Sequence, residues 1–483
     1  MTLNYENAES GEVVTGLENL LDGKLPPEAA RAVGEAGGRL ALVGGRLRDH
    51  LLSTPSAPAS AGKTDEYDLV AFGLELETLA GLFGHFGPVR LVGRRGALAD
   101  EKEPALVHLR LGRNLLEISP ARRLGGRRAV FSKEAGPLED ALCRDFTVNA
   151  LYYDPLTRSL EDPLGGLEDL AARRLRPCHQ LALELDPLRL MRAVSLISRL
   201  GFSPGRELSA AARRCAGLLS AVPRDRLWPE WHKWAGGRWP HLGLDFMEKS
   251  GLLAFWPSLA ALAATPQNPR FHPEGDVWRH TVLVVRAMSE LELPASARRP
   301  LLLLAALLHD LGKPLVTVFE GGRLISKGHA QAGLKPAREF LEGLRAPLHW
   351  RKPILKLVER HMDLAFRAIT PKALRRLARR LAPEVALTEY WALAAADWNG
   401  RGPGLGGFPL TLAEFLEPLG GADQAPPPLL MGRDILAAFP VSPGPALGNL
   451  LRRVEEAADE GLLKSREEAL AYVGRLIDNG LGS

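Results

Sequence analysis

From residue 39 onward, short apolar runs alternate with polar, turn-forming stretches. The runs "LALVGG", "DLVAFG", "PVRLVG", "ALVHLRLG" and "LLEISP" have the length and composition of β-strands, with helical stretches between them. Between about 165 and 265 the apolar positions recur every three or four residues, which predicts helices. A second helical block follows from 270 to 400, and "NGRGPGLGGFP" and "ADQAPPPLL" then lead into a C-terminal helical tail. Residues 1–35 read as a helical or loosely ordered lead-in, and "STPSAPASAGK" at 53–63 as a surface loop. The pattern predicts a multidomain α+β protein. Its parts are a lead-in (1–35), an α/β head (36–165), an all-α neck (166–265), a second helical domain (266–402) and a helical tail (403–483).

Composition narrows the class. With 483 residues the chain is too long for one compact core. No run of 18 apolar residues occurs, so no membrane span is expected, and "MTLNYENAESGEVV" lacks the basic-then-apolar order of a signal peptide. Cys143, Cys178 and Cys215 are few and scattered, which suits a reducing cytoplasm. A net charge of +4 permits a nucleic-acid partner without arguing for one.

The stretch "KTDEYDLVAFG" carries three carboxylates where a strand begins. Residues two apart on a strand share a face and residues three apart do not. Glu66 and Asp68 can therefore hold metal together, whereas Asp65 and Asp68 cannot without a bulge. Two carboxylates about 6–7 Å apart on one strand face suit a pair of Mg²⁺ ions clamping a nucleoside triphosphate. Upstream, "LVGGRLRDHLL" sets Gly44 and Gly45 between a strand and a helical run, where freed backbone amides suit phosphate. Arg46 and Arg48 would add charge, and Asp49 could orient one of them. A glycine turn followed by a charged helix face is the plainer alternative.

"GGRLRDHLL", "EYDLV", "CRDFTVNALYYDPLTRSLEDPLGGLEDLAARRLRP" and "DPLRLMRAVSLISRLGF" occur in an order that resembles the bacterial class II tRNA nucleotidyltransferases and the related bacterial poly(A) polymerases. The resemblance covers about 40 to 205. It implies a polymerase β-like nucleotidyltransferase head, a helical neck, tRNA as partner, CTP and ATP as substrates and Mg²⁺ as cofactor. The family's Asp-x-Asp is Glu66-Tyr67-Asp68 here, and a glutamate reaches one methylene further. Glu117, in "NLLEISPARR", matches a glutamate of the poly(A) polymerase type and becomes a third acidic candidate. "CRDFTVN" resembles the family's Arg-Arg-Asp-x-x-x-Asn motif, with Cys143 replacing the first arginine, so Arg144, Asp145 and Asn149 carry over as ribose and phosphate contacts.

Asp186 and Arg189 in "ELDPLRLMRAV" are three apart, which on a helix places them on one face. A carboxylate accepts and a guanidinium donates, so the pair complements the edges of C and A and opposes those of G and U. A surface ion pair is the alternative. The family's motif begins with a glutamate where this chain has Leu185. Arg192 and Arg199 continue along the same helix, and "RRLRP" (173–177) precedes it; these arginines could meet phosphates or merely solvate a helix face.

"HPEGDVWRHT", "AALLHDLGKP", "SKGHAQAG", "LVERHM" and "AAADWNG" resemble the HD phosphohydrolase superfamily. The resemblance implies His280, His309, Asp310 and Asp397 as metal ligands, joined by His329 and His361 in a binuclear site. Imidazole with carboxylate favours Ni, Mn, Co, Fe or Zn. His272, beside Pro273, is expected to be structural. The combined expectation is a cytoplasmic CCA-adding tRNA nucleotidyltransferase with an HD phosphodiesterase or phosphatase, with a homodimer left open. An A-adding enzyme or poly(A) polymerase is the near rival. The distant rival is an HD hydrolase whose lapsed head only binds RNA.

Overall fold

The computed structural model describes residues 17, 20–21, 23–52, 65–95, 102–126, 128–364, 369–402, 407–424 and 427–481. The loop expected at 53–63 lies outside them, as does most of the expected lead-in. The chain divides into two compact units, Met1–Ala260 and Ala261–Ser483.

The first unit is built on a seven-stranded mixed sheet of order β3-β4-β5-β2-β1-β8-β9. All five runs read as strands form it: β1 (Arg39–Val43), β2 (Asp65–Phe72), β3 (Val89–Arg95), β4 (Lys102–Leu111) and β5 (Asn114–Pro120). β6 (Arg122–Gly125) and β7 (Arg128–Phe131) make a separate hairpin, and β8 (Tyr152–Tyr153) and β9 (Leu160–Glu161) extend the sheet beyond β1. β2 pairs antiparallel with β1 and parallel with β5. Its burial changes along its length: Glu66 and Asp68 are exposed, while Leu69 to Phe72 are buried on both faces. A central strand therefore brings its polar beginning to the surface while its apolar end anchors it in the core.

Helix α1 (Pro27–Glu35) buries Ala29, Ala30 and Val33 against β1 and α3, which makes it part of the head rather than a lead-in to it. α2 (Gly45–Leu51) follows β1 directly, and α3 (Leu76–Gly84) covers β3, β4 and β5. α4 (Pro137–Leu142), α5 (Gly166–Ala171), α6 (Ala182–Leu185) and α7 (Leu188–Leu200) carry the chain into the neck. α7 buries most of its residues against the helices Arg224–Ala235 and Pro240–Lys249, and Gly201 ends it in the left-handed region (φ 67°).

The second unit packs the helices Val277–Glu290, Arg299–Leu308, Leu348–Arg360 and Leu387–Asn399 around "LLLLAALL", which is buried throughout. A small hairpin, Val318–Glu320 with Arg323–Ile325, interrupts what was expected to be a purely helical block. The tail forms its own apolar cluster around Ile435, Leu450, Val454 and Val473. The helix Pro371–Leu381 docks that tail through Arg375 and Arg379, while its Arg380 turns to Asp363. Arg379 Nη1 lies 2.7 Å from Asp459 Oδ2, and Arg375 Nη1 donates to the Asp459 carbonyl at 2.8 Å. No helix among the described residues is long and apolar enough to cross a membrane.

Candidate functional site

At the head, the parallel pairing of β2 with β5 sets Asp68 beside Glu117. Partners in register share a face, so Glu66, Asp68 and Glu117 all point to one side of the sheet. The antiparallel pairing of β4 with β5 adds His108 opposite Glu117, with Nε2 3.0 Å from Glu117 Oε1. Asp65, on the other face, pairs with Arg46 and lies 3.6 Å from Arg113 Nε. Gly44 precedes α2 at φ 84° and passes so close that a Cβ there would stand 2.9 Å from Asp68 Oδ2. Three carboxylates from two neighbouring strands gathered on one sheet face offer the oxygen donors that suit Mg²⁺.

A cleft beside them is lined by Asp68, Glu117, Arg122 and Arg144. Both arginines are held by Asp140, which is fully buried on α4. Arg144 Nε donates to Asp140 Oδ2 at 2.8 Å, Arg122 Nε lies 3.5 Å from Oδ1, and the Tyr152 hydroxyl donates to Oδ2 at 2.9 Å. Burial alone would raise the Asp140 pKa, but Arg144, Arg122 and Tyr152 hold it below the usual carboxylate value. Sequence reasoning missed Asp140, although its spacing of four from Arg144 on a helix was a readable signal. It missed His108 too, because a register partner on another strand leaves no trace in one segment.

The "CRDFTVN" residues form a connected chain. Asp145 Oδ1 accepts from the Phe146 amide at 2.8 Å and from Asn149 Nδ2 at 3.0 Å, and Arg192 Nη1 lies 3.4 Å from Oδ2. Asn149 Oδ1 in turn accepts from Arg48 Nη1 at 2.6 Å. Arg48, expected to add charge for a triphosphate, is buried and is the arginine that Asp49 orients, at 2.8 Å. Arg46 is committed to Asp65 and donates to the Glu66 carbonyl at 3.2 Å. Cys143 is buried, and burial pushes its thiol up to about 11.

The expected helical pairing of Asp186 with Arg189 needs correction. Asp186 lies outside α7 with an extended backbone (φ −140°, ψ 96°), because Pro187 excludes the residue before it from helical geometry. Its carboxylate accepts from the Leu188 amide at 3.2 Å and lies 3.6 Å from Arg226 Nη2. Arg189 is held instead by carbonyls, donating to Cys143 O at 2.6 Å and Ala182 O at 3.2 Å. The two side chains still belong to one charged neighbourhood, since Asp186 and Asp145 both offset the burial that lowers the Arg189 pKa. In "RRLRP", Arg174 and Arg176 clamp the buried Asp169 at 2.5 and 2.9 Å, and Arg199 lies 3.6 Å from Asp49.

In the second unit six residues implied as ligands converge. Asp310 Oδ2 lies 3.1 Å from His309 Nε2 and 3.7 Å from His280 Nε2, and Asp397 Oδ1 lies 3.0 Å from His280 Nε2. Asp310 Oδ1 lies 3.4 Å from His329 Nε2, which is 3.0 Å from His361 Nε2. His309, His329 and His361 each donate Nδ1–H to a carbonyl three residues earlier, at 2.8 Å in every case. The neutral rings then present only Nε2 lone pairs, and those of His329 and His361 face each other. His309 Nε2 is buried without a hydrogen-bond partner among the described residues. Facing lone pairs call for a cation, and ligands about 2.1 Å from one ion stand roughly 3.0–3.4 Å apart. The residues fit two metal positions bridged by Asp310.

Electrostatics agrees for Asp310 and His361, whereas burial would lower His280 but its hydrogen bonds to Asp397 and Glu274 push it up to about 9. Burial would raise Asp310, but His309 and Lys313 hold it well below the carboxylate range. Burial, with His309 and His329 nearby, pushes His361 down to about 3, which keeps its ring neutral. Glu274 was not anticipated: its Oε1 lies 2.8 Å from His280 Nδ1 and 2.9 Å from His272 Nδ1. Such a carboxylate fixes the tautomer of a ligating histidine. His272, expected to be structural, lines the cavity beside the cluster. Lys313 Nζ bridges Asp310 Oδ2 and Gln267 Oε1, each at 2.7 Å. Gly312 lets the His329 segment close on this turn, since a Cβ there would lie 2.0 Å from the His329 carbonyl.

Known proteins agree with the two units. Residues 40–176 match the Poly A polymerase head domain and residues 277–398 match the HD domain. The chain is 34% identical over 415 residues to a CC-adding tRNA nucleotidyltransferase of Thermus thermophilus, covering 80% of this chain and 92% of the relative. It is 31% identical over 336 residues to a Multifunctional CCA protein of Xanthomonas campestris, covering 68% and 75%. Its fold is similar to the Bacillus stearothermophilus CCA-adding enzyme solved in complex with CTP, with a TM-score of 0.61 at 20% identity over 94% of this chain and 99% of that one. The chain belongs to the tRNA nucleotidyltransferase family, with a Poly A polymerase head domain and an HD domain.

Proposed function

We propose that the chain adds C and A from CTP and ATP to the 3′ end of tRNA in the cytoplasm, and that its HD domain hydrolyses phosphoesters. The alignment of Asp68 with Glu117, beside the Arg122 and Arg144 cleft, carries the transferase reading. Glu66, Asp68 and Glu117 would hold Mg²⁺, which when bound stabilises charge on the α-phosphate and on the attacking oxygen. Arg144 and Arg122, fixed by Asp140, receive triphosphate charge. Asp145 and Asn149 meet the ribose, while Asp186 and Arg189 read the base. The tRNA 3′ hydroxyl attacks the α-phosphate and pyrophosphate leaves.

A second reading, addition of C alone, is favoured by the CC-adding relative. In the HD domain, His280, His309, Asp310, His329, His361 and Asp397 would hold Ni, Mn, Co, Fe or Zn, which supplies an activated water for phosphoester cleavage. Its substrates are 2′,3′-cyclic or 2′-phosphates at RNA ends.

Incorporation into tRNA transcripts ending at the discriminator base, at CC and at CCA, with each NTP, tests these readings. C, C and A in order supports CCA addition. C and C alone supports the second reading, and A on CC ends alone supports an A-adding enzyme. Asp68→Ala should remove incorporation and spare phosphodiesterase activity, while the double variant His309→Ala/Asp310→Ala should do the reverse. No incorporation from the wild type would leave the head as an RNA-binding module.

A further inference from the structure

Strand pairing sets one row of residues straight across the head sheet. Arg90 on β3 pairs with His108 on β4, His108 with Glu117 on β5, and Glu117 with Asp68 on β2. Register partners share a face, so His108 stands between an exposed arginine and the carboxylates. Its Nε2 lies 3.0 Å from Glu117 Oε1, with the two side chains 23% and 22% exposed. A ring N–H at that distance is within hydrogen-bond reach of a carboxylate. The cleft that Glu117 lines with Asp68 also holds the guanidiniums of Arg122 and Arg144, which compete with a metal for any carboxylate. Glu117 turned toward them would leave the metal short of a ligand and the triphosphate short of positive charge. β4 and β2 flank β5 on opposite sides, so His108 and Asp68 approach Glu117 from opposite directions.

We propose that His108 is a positioning residue of the transferase head: its Nε2–H holds Glu117 Oε1 on the β4 side, so that the carboxylate offers its other oxygen to Mg²⁺ beside Asp68. The inference rests on the reading of Glu117 as a Mg²⁺ ligand. His108 itself touches neither metal nor substrate. A lysine or arginine in its place would bring a permanent charge that competes with the metal, whereas a neutral imidazole supplies one donor and no charge. Ligating carboxylates are commonly fixed by such an outer hydrogen bond, and its loss typically costs about 10- to 100-fold in metal affinity.

The test uses the full-length protein and the variants His108→Leu, His108→Gln and Glu117→Gln. Incorporation from CTP into tRNA ending at the discriminator base is followed against Mg²⁺ concentration. Mn²⁺ binding is followed separately, without tRNA, by electron paramagnetic resonance, and the binding that Asp68→Ala abolishes is assigned to the head. His108→Leu should raise both the Mg²⁺ concentration for half-maximal rate and the Mn²⁺ Kd of the head by about 10- to 100-fold. Its kcat should recover at saturating Mg²⁺. His108→Gln keeps an N–H at similar reach and should restore most of the affinity. In the Glu117→Gln background, His108→Leu should cost little more, because the carboxylate it positions is gone. A lower kcat that Mg²⁺ does not recover, at unchanged half-saturation, is damage to the head alone and overturns the proposal. A His108→Gln variant as weak as His108→Leu overturns it too. Glu117→Gln separates the two ways of failing. If it weakens Mn²⁺ binding and His108→Leu does not, the ligand reading stands and the positioning role falls. If it leaves Mn²⁺ binding unchanged, Glu117 is no ligand and both fall. A wild type that incorporates nothing refutes the transferase activity on its own. The Mn²⁺ titrations then decide: weaker head binding in His108→Leu, restored in His108→Gln, upholds the role, and equal binding overturns it.

Discussion

Gly44 and Asp68 stand so close that a Cβ at position 44 would sit 2.9 Å from Asp68 Oδ2. The backbone of Gly44 also lies at φ 84° and ψ −151°, a region essentially confined to glycine. An L-residue there costs about 1–3 kcal/mol of backbone strain in addition to the contact. Gly44→Ala should push the Asp68 carboxylate off its position and lower nucleotide incorporation roughly tenfold or more. Phosphodiesterase activity in the same preparation should be unchanged. Primer-extension rates on tRNA ending in CC check the first outcome, and 2′,3′-cyclic AMP hydrolysis checks the second.

Asp140 holds Arg122 and Arg144 from a fully buried position. Removing its charge leaves two guanidiniums without their partner, and breaking such a buried pair costs about 3–5 kcal/mol. Asp140→Asn should therefore lower the urea midpoint of the head at pH 7. Its folded pKa lies below the ordinary value, so its contribution is complete above roughly pH 4 and is lost as pH falls through the folded value. The gap between wild type and variant should shrink on acidification to pH 3. A gap that widens in acid would contradict this assignment.

Gly312 is a packing position of the His/Asp cluster. A Cβ there would meet the His329 carbonyl at 2.0 Å and the Gly333 nitrogen at 2.5 Å, so the His329 turn must move. Gly312→Ala should weaken the position formed by His329 and His361 more than the one formed by His280, His309 and Asp397. Metal analysis by mass spectrometry after dialysis should show about one equivalent lost from two, in keeping with a binuclear site. Incorporation into tRNA should be unaffected.

Arg189 is held by two carbonyls, and its replacement would remove the donor expected to meet C or A. One good hydrogen-bonded base contact is worth about 1–3 kcal/mol of discrimination. Arg189→Leu should therefore raise U relative to C incorporation by about 5- to 150-fold, read in competition assays with mixed NTPs. Arg226→Ala releases Asp186 from its ion pair and should alter the preference between C and A without a comparable gain in U. An unchanged preference in both variants would remove these residues from base selection.

Much of the site was legible because its geometry is local. Glu66 and Asp68 share a strand face through a repeat of two, which the chain obeys with or without a neighbour. The histidine and aspartate segments stood in a recognisable order, and the structure gathers all six. Asp186 and Arg189 show where local reasoning failed. Their spacing of three suits a helix, but Pro187 starts the helix after Asp186 and turns its carboxylate toward Arg226. The burial of Arg48 was not legible either: charge usually means exposure, yet Asp49 and Asn149 together stabilise a buried guanidinium.

The sequence by itself determined the five main strands of the head, the helical neck, the two candidate chemical centres and the residue types each requires, since periodicity and donor chemistry are properties of short segments. Only the tertiary structure decided which segments meet. His108 reaches Glu117 through strand register, and Asp140 commands two arginines from a buried position on a half-exposed helix. Glu274 orients His280, and Trp398 with Arg401 forms a wall of the HD cavity. Each of these depends on long-range packing that brings together groups far apart in the chain or on separate elements, and no local repeat carries that information.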